Sequence, residues 1–128
     1  NVSVALEFLN SVLKKKTIAF LMSDFVSPQF EKALMLSARK HDLVGIHVFD
    51  AADKMLPKVG LVQVQDAESG KTNWIDTNDE HLRANYSKMF DKHKLYCNQT
   101  FNKSGASLLS IRTDQDYVKV LQGYFKGR

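Results

Sequence analysis

Three short apolar runs constrain the fold of this chain more than any other feature. They occupy residues 17–22, 43–49 and 106–111, and an aspartate follows each of them within three residues. The first run does not alternate between apolar and polar side chains, which is typical of a strand buried on both faces of a parallel sheet. Because helix-like patterns surround these runs, the sequence predicts an α/β protein with three parallel strands and flanking helices.

Four amphipathic patterns supply the predicted helices. They cover about residues 3–15, 28–40, 78–101 and 117–125. The first helix would end near Lys14–Lys16, where the helix dipole favours cations. Because the second helix joins two neighbouring apolar runs, residues 17–49 are predicted to form a βαβ unit with a right-handed crossover.

Side chains that can cap helices mark two of the predicted helix starts. Ser27 is the expected N-cap of the second helix, with Pro28 at its first position. Thr113 and Asp116, three residues apart, resemble a capping box before the last helix.

The middle of the chain has a different pattern. Residues 61–65 and 71–76 have strand character and enclose the turn-forming residues 66–70, which predicts an inserted β-hairpin. Ser69–Thr72 has the sequence that ends a phosphate-binding loop. However, Gln65 stands where that motif needs glycine, and a strand rather than a helix follows, so we interpret the segment as a hairpin turn.

Composition is that of an ordinary globular domain. The 128 residues are 44% hydrophobic and 25% charged, and residues 1–128 are predicted to form a single domain. No apolar stretch approaches the roughly 20 residues that cross a bilayer. A single cysteine is typical of a reducing compartment, so a cytoplasmic location is expected. The formal net charge of +4 is scattered among acids, which favours a solvated surface over a nucleic-acid patch.

Neither the histidines nor the cysteine form a catalytic or zinc-binding pattern. His41, His47, His81 and His93 lack the helical spacing, with a carboxylate between two histidines, that zinc proteases use. His47 lies within a predicted strand and is interpreted as a structural residue. Cys97 has no evident general base, and we expect it to pack against the sheet.

The aspartates at the strand ends are the remaining candidates for a functional site. Ligands of open parallel sheets bind beyond the carboxyl ends of the strands. Asp24, with Ser23 beside it, would suit Mg²⁺, which takes one or two carboxylates together with hydroxyls and waters. The alternative is that Asp24, Asp50 and Asp114 cap turns and helices, as aspartate does routinely. Capping is favoured for Asp24, and more strongly for the other two.

Several segments together resemble one protein family. The chain contains "SDF", "ARKHD", "LPKVG", "DAESG" and a terminal "YFKGR", which are spread over nearly all of its length. These segments resemble the C-terminal half of the domain-of-unknown-function family 58, whose members contain a von Willebrand factor A-like domain. The resemblance implies a partial von Willebrand factor A-like, Rossmann-like fold, of which this chain would be the C-terminal portion.

The same resemblance implies a metal-ion-dependent adhesion site that is built from three loops. It places the acid of the third loop on Asp24, next to Ser23, whereas the Asp-x-Ser-x-Ser of the first loop does not occur in this chain. Mg²⁺ is therefore expected in the complete parent protein and not in this fragment. The strand at residues 17–22, central in the family's sheet, would become an edge, so we expect self-association through it.

The leading functional hypothesis is a non-enzymatic protein–protein interaction module. The resemblance implies a MoxR-type ATPase as partner, in the assembly or maturation of other complexes. One alternative is a metal-assisted hydrolase, which would need a second carboxylate, such as Asp50, close to Asp24. The other is a basic nucleic-acid-binding domain, whose affinity would fall steeply with added salt.

Overall fold

The computed structural model describes residues 1–27 and 29–127, which form two compact units. Unit 1 contains residues 1–50 and those from 94 onwards, and unit 2 contains residues 51–93. In chain order the elements are α1 (Val2–Val12), β1 (Ile18–Ser23), α2 (Glu31–Lys40), β2 (Asp42–Phe49), α3 (Ala51–Lys54), β3 (Leu61–Gln65), β4 (Thr72–Asp76), α4 (Glu80–Ser104), β5 (Ser107–Arg112) and α5 (Tyr117–Lys126).

Unit 1 is built on a parallel sheet with the strand order β1-β2-β5. Ser23 lies opposite His47 at the end of β1, and Phe49 lies opposite Arg112 at the end of β2. Because all three strands run in one direction, their carboxyl ends lie at the same edge of the sheet, which we call the carboxyl rim. The predicted α/β architecture, with three parallel strands, flanking helices and a separate β-hairpin, is confirmed.

Apolar side chains fill the core of unit 1. They come from α1, α2, β2, α4 and the loop after β1: Val2, Leu6, Phe25, Phe30, Leu34, Leu43, Cys97 and Phe101. Ala19 and Leu21 of β1 pack against this cluster. Burial of one large apolar side chain contributes about 1.5–3 kcal/mol, so the cluster holds the three helices against one face of the sheet.

β1 differs from its prediction in burial. Ile18, Phe20 and Met22 are 55%, 48% and 67% exposed, whereas Ala19 and Leu21 between them are partly buried. The expectation that both faces of this strand are buried is therefore wrong. The physical reason is that Ala19 and Leu21 face the core cluster, whereas the opposite face of β1 is only partly covered, by a contact between Phe20 and Phe125 of α5. Within residues 1–27 and 29–127, β1 pairs with β2 alone and lies at the edge of the sheet, as the family resemblance implied.

The predicted capping of α2 is also wrong. This helix begins at Glu31, and its N-cap, Phe30, makes no side-chain hydrogen bond to the helix. The Ser27 hydroxyl instead accepts a hydrogen bond from the amide of Val2, the first residue of α1, at 3.2 Å, while Asn1 is the N-cap of that helix. The first amides of a helix lack partners within the helix, and a tertiary neighbour can satisfy them as well as a sequence neighbour. Pro28 lies outside the described residues.

Two further helix ends differ from their predictions. Asp116 is itself the N-cap of α5, and its carboxylate accepts a hydrogen bond from the Val118 amide at 3.1 Å. Thr113 therefore does not begin a capping box. α1 ends at Val12, so Lys14–Lys16 follow the helix and do not form its last turn.

Unit 2 is organised by side-chain hydrogen bonds to the backbone of its loops. The hydroxyl of buried Thr77 donates to the Gly60 carbonyl at 2.6 Å and accepts from the Val59 amide at 3.0 Å. Arg83 donates to the carbonyls of Leu56 and Thr77 at 2.6 and 3.0 Å. β3 and β4 form the predicted antiparallel hairpin, and α3 is a short helix that the sequence did not predict.

The turn between β3 and β4 explains the phosphate-loop-like sequence. The Asp66 carboxylate accepts hydrogen bonds from the Glu68 amide and the Ser69 hydroxyl, and both bonds lower the pKa of Asp66 below its usual value. Gly70 has a φ of 71°, in the left-handed region that favours glycine. Ser69–Thr72 therefore belongs to the hairpin, as interpreted from the sequence.

Candidate functional site

The carboxyl rim of unit 1 brings the predicted site residues to one edge of the sheet. β1 ends at Ser23, so Asp24 is the first residue beyond the strand. Asp50 directly follows β2, and Asp114 lies two residues after β5. All three aspartates therefore lie at the edge where open parallel sheets bind their ligands.

Ser23 and Asp24 use side-chain oxygens to shape the loop after β1. The Ser23 hydroxyl accepts a hydrogen bond from the Phe25 amide at 2.9 Å, and Asp24 Oδ1 accepts one from the Val26 amide at 3.0 Å. Both contacts join residues two positions apart, which is the pattern of serine and aspartate turns. These two oxygens are therefore engaged in building the turn that carries them.

Phe25 holds this turn in an unusual backbone conformation. Its φ is 57°, in the left-handed region that bulky residues rarely adopt, and its side chain is 1% exposed. The ring packs against Phe101, Phe30 and His47, with centroid distances of 5.0, 5.9 and 6.2 Å. No sequence signal indicated this conformation, because a buried phenylalanine is among the last residues expected at positive φ.

Asp50 and Asp114 are the other two aspartates at the rim. The paired register of β1 and β2 ends with Ser23 opposite His47, and Asp50 follows His47 by three residues. Asp114 pairs with Arg112, which lowers the pKa of that carboxyl. Within the described ranges, no three histidine, cysteine, aspartate or glutamate side chains are grouped closely enough to hold a metal ion.

Cys97 is confirmed as a core residue. Its side chain is fully buried in the cluster that packs on the sheet. Burial, and to a smaller extent the negative charge of Asp24, together raise the pKa of the thiol to about 11. Because only the thiolate is a good nucleophile, Cys97 is poorly suited to covalent catalysis near neutral pH.

β1 has an exposed apolar face and an unpaired backbone edge. Among the described residues, the backbone of this strand pairs on one side only. Its outward face presents Ile18, Phe20 and Met22, and α5 covers part of it through an edge contact between Phe20 and Phe125 at 6.1 Å. We call this surface, the open side of β1 with its three exposed side chains, the β1 edge.

The family model described as "Protein of unknown function DUF58" matches residues 1–96, which is three quarters of the chain. The chain belongs to this family. The matched region of the DUF58 chain includes the βαβ unit, the hairpin and most of α4. The further implication of a von Willebrand factor A-like domain, with this chain as its C-terminal portion, stays a prediction.

Curated relatives of the DUF58 chain are uncharacterised mycobacterial proteins. One from Mycobacterium avium is 31% identical over 129 residues, which cover 100% of this chain and 76% of that protein. Proteins from Mycobacterium tuberculosis and Mycobacterium bovis are 34% identical over 119 residues, which cover 92% of this chain and 37% of each relative. No solved structure matches the chain significantly.

The helices of the DUF58 chain were also compared with the requirements for a membrane span. In the part of the chain that the structure describes, none is both long enough and apolar enough to cross a bilayer.

Proposed function

We propose that this chain is a non-enzymatic protein–protein interaction module that docks other chains on the β1 edge. The observation that carries the proposal is the combination, on one strand, of an unpaired backbone side and three exposed apolar side chains. Soluble proteins usually protect such edges with charges, proline or bulges. Residues 18–22 contain none of these protective features.

The chemistry of an open strand suggests how a partner would bind. A second strand laid beside β1 would pair with its outward N–H and C=O groups, and its side chains would cover Ile18, Phe20 and Met22. A second copy of this chain is the partner that the surface itself supplies, because two β1 strands related by a twofold axis can pair side by side as antiparallel strands, with their exposed apolar side chains on one shared face. We therefore propose homodimerisation through the β1 edge.

A heterologous partner would use the same surface. The family resemblance suggests a MoxR-type ATPase, with a role in the assembly or maturation of other complexes. A strand of such a partner would compete with the second copy for β1, since an edge strand accepts one neighbour. The proposal includes no metal-dependent step, because the Ser23 hydroxyl and Asp24 Oδ1 accept hydrogen bonds from turn amides and the described residues contain no group of three candidate metal ligands.

The test is the concentration dependence of self-association, measured by sedimentation velocity. Met22→Lys places an ammonium group on the exposed face of β1 and is expected to weaken dimerisation at least about tenfold, or about 1.4 kcal/mol. Met89→Lys is the matched control, because Met89 in α4 is 72% exposed and Met22 is 67% exposed. It should leave dimerisation unchanged.

Two results would contradict the proposal. One is a chain that stays monomeric at high concentration and fails to bind any candidate partner. The other is a dimer that Met22→Lys and Met89→Lys weaken equally, since the contact would then lie away from β1. Circular dichroism of both variants would establish that the fold is retained.

A further inference from the structure

A second polar cluster lies at the opposite edge of the sheet, near the first residues of β1 and β2. It contains two buried atoms, His41 Nε2 and Asn10 Oδ1, that have no hydrogen-bond partner among the described residues. His41 as a whole is 3% exposed. Nearly all buried polar atoms in folded proteins are hydrogen-bonded to protein or water, so Asn10 and His41, which line the same cavity, each offer it an unused hydrogen-bonding atom.

The hydrogen bonds of His41 and Asn10 define what that ligand must offer. The Thr17 amide donates to His41 Nδ1 at 3.1 Å, so a neutral imidazole carries its proton on Nε2, which is therefore a donor. The Asn10 amide nitrogen donates to the Ser37 hydroxyl at 3.0 Å, which leaves Oδ1 as an acceptor. If the amide is turned over, Ser37 donates instead and Asn10 presents a second donor.

The cavity at this cluster is positively charged. Its volume is about 270 Å³, and it is lined by Asn10, Leu13, Lys14, Lys40 and His41. Since one water occupies roughly 30 Å³ in the liquid, the space is larger than a single bridging water needs. The two lysines come from different elements: Lys14 follows α1, and Lys40 is the last residue of α2.

We propose that this cavity binds a phosphate group. Its oxygens would accept hydrogen bonds from His41 Nε2 and from the ammonium groups of Lys14 and Lys40, and a protonated oxygen would donate to Asn10 Oδ1. The carboxyl ends of α1 and α2 each carry about half a negative charge and therefore repel an anion. The two positive charges of Lys14 and Lys40 exceed this combined negative charge. The ligand is either free phosphate or the phosphate of a monoester, which share this chemistry.

The experiment follows the His41 ring and the Thr17 amide by NMR in the nitrogen-15-labelled chain. Inorganic phosphate is added at constant pH, with chloride keeping the ionic strength constant. A saturable shift of both signals is expected. Lys14→Gln combined with Lys40→Gln should weaken binding at least about tenfold, because both exposed cations of the cavity are removed.

The matched control is Lys15→Gln combined with Arg39→Gln. It removes the same charge from neighbouring exposed positions that do not line the cavity, and should change the affinity by less than about twofold. Equal losses in the two double variants, a shift that chloride reproduces, or no shift at all would each overturn the proposal.

A parallel titration with phosphoserine distinguishes the two sources of the phosphate group. Binding at least as tight as that of inorganic phosphate would assign the cavity to the phosphate of a larger molecule. Binding of inorganic phosphate alone would assign it to the free ion.

Discussion

Phe25→Ala is expected to lower the free energy of unfolding by about 3–5 kcal/mol, the range for phenylalanine truncation in a core. The ring is 1% exposed and packs between Phe30 of α2 and Phe101 of α4, so its removal leaves a cavity where the two helices meet the sheet. Urea unfolding followed by circular dichroism measures the change. Phe8→Ala is the control, because Phe8 is 68% exposed and its loss should cost less than about 0.5 kcal/mol.

A glycine at the same position separates packing from backbone strain. At an ordinary position glycine is less stable than alanine by about 0.5–1 kcal/mol. At a φ of 57°, a residue with a Cβ costs about 1–2 kcal/mol that glycine does not. Phe25→Gly should therefore be at least as stable as Phe25→Ala. A glycine variant clearly less stable than the alanine variant would show that the loop does not hold a left-handed residue.

The sequence was sufficient for the architecture of unit 1 because each strand of the parallel sheet had an apolar run and each of its helices a clear period. Residues 43–49 illustrate this, since β2 is the central strand and is buried as its composition predicts. Residues 17–22 have a similar composition but form an edge strand with an exposed face. Composition reports how apolar a strand is, whereas exposure depends on which neighbours are present, and only the family resemblance implied that residues 17–22 form an edge strand.

Predictions of local structure were wrong where a residue makes a contact with a distant part of the chain instead of with its sequence neighbours. Ser27 accepts a hydrogen bond from the first amide of α1, which lies far from it in sequence, rather than capping the helix that follows it. At the candidate site, the sequence placed Asp24 correctly after a strand, but it could not reveal that Phe25 is left-handed. The polar cluster around His41 was also missed, because its members come from α1, α2 and the first residues of two strands.

These differences change the functional interpretation of the two ends of the sheet. At the carboxyl rim, Ser23 and Asp24 act on their own loop, so the proposed docking function depends on β1 itself rather than on its final carboxylate. At the amino end, His41 Nε2 and Asn10 Oδ1 have no hydrogen-bond partner within residues 1–27 and 29–127, and their residues line a cavity together with two lysines, which is the basis of the proposed phosphate site. The two proposals use different residues, and one can fail without the other.

Gly45→Ala is expected to lower the free energy of unfolding by about 3 kcal/mol. Replacing glycine by alanine usually does not destabilise a protein when the backbone dihedral angles suit both residues. A Cβ at Gly45 would lie 2.3 and 2.6 Å from two ring carbons of Phe101 and 3.0 Å from a methyl carbon of Leu108. Phe101 is 1% exposed, so its ring cannot move aside without disturbing the core. Gly45 therefore lets α4 approach the central strand closely.

The steric origin of this effect can be tested by a double-mutant cycle and a matched glycine. Phe101→Leu removes the ring atoms that a Cβ at Gly45 would meet, so the double variant should be more stable than the sum of the single changes predicts, by at least about 1 kcal/mol. Gly123→Ala in α5 is the control, because its Cβ would meet nothing within 4 Å. It should stabilise the chain by about 0.5–1 kcal/mol. Strictly additive changes at Gly45 and Phe101 would contradict the close approach of α4 to β2.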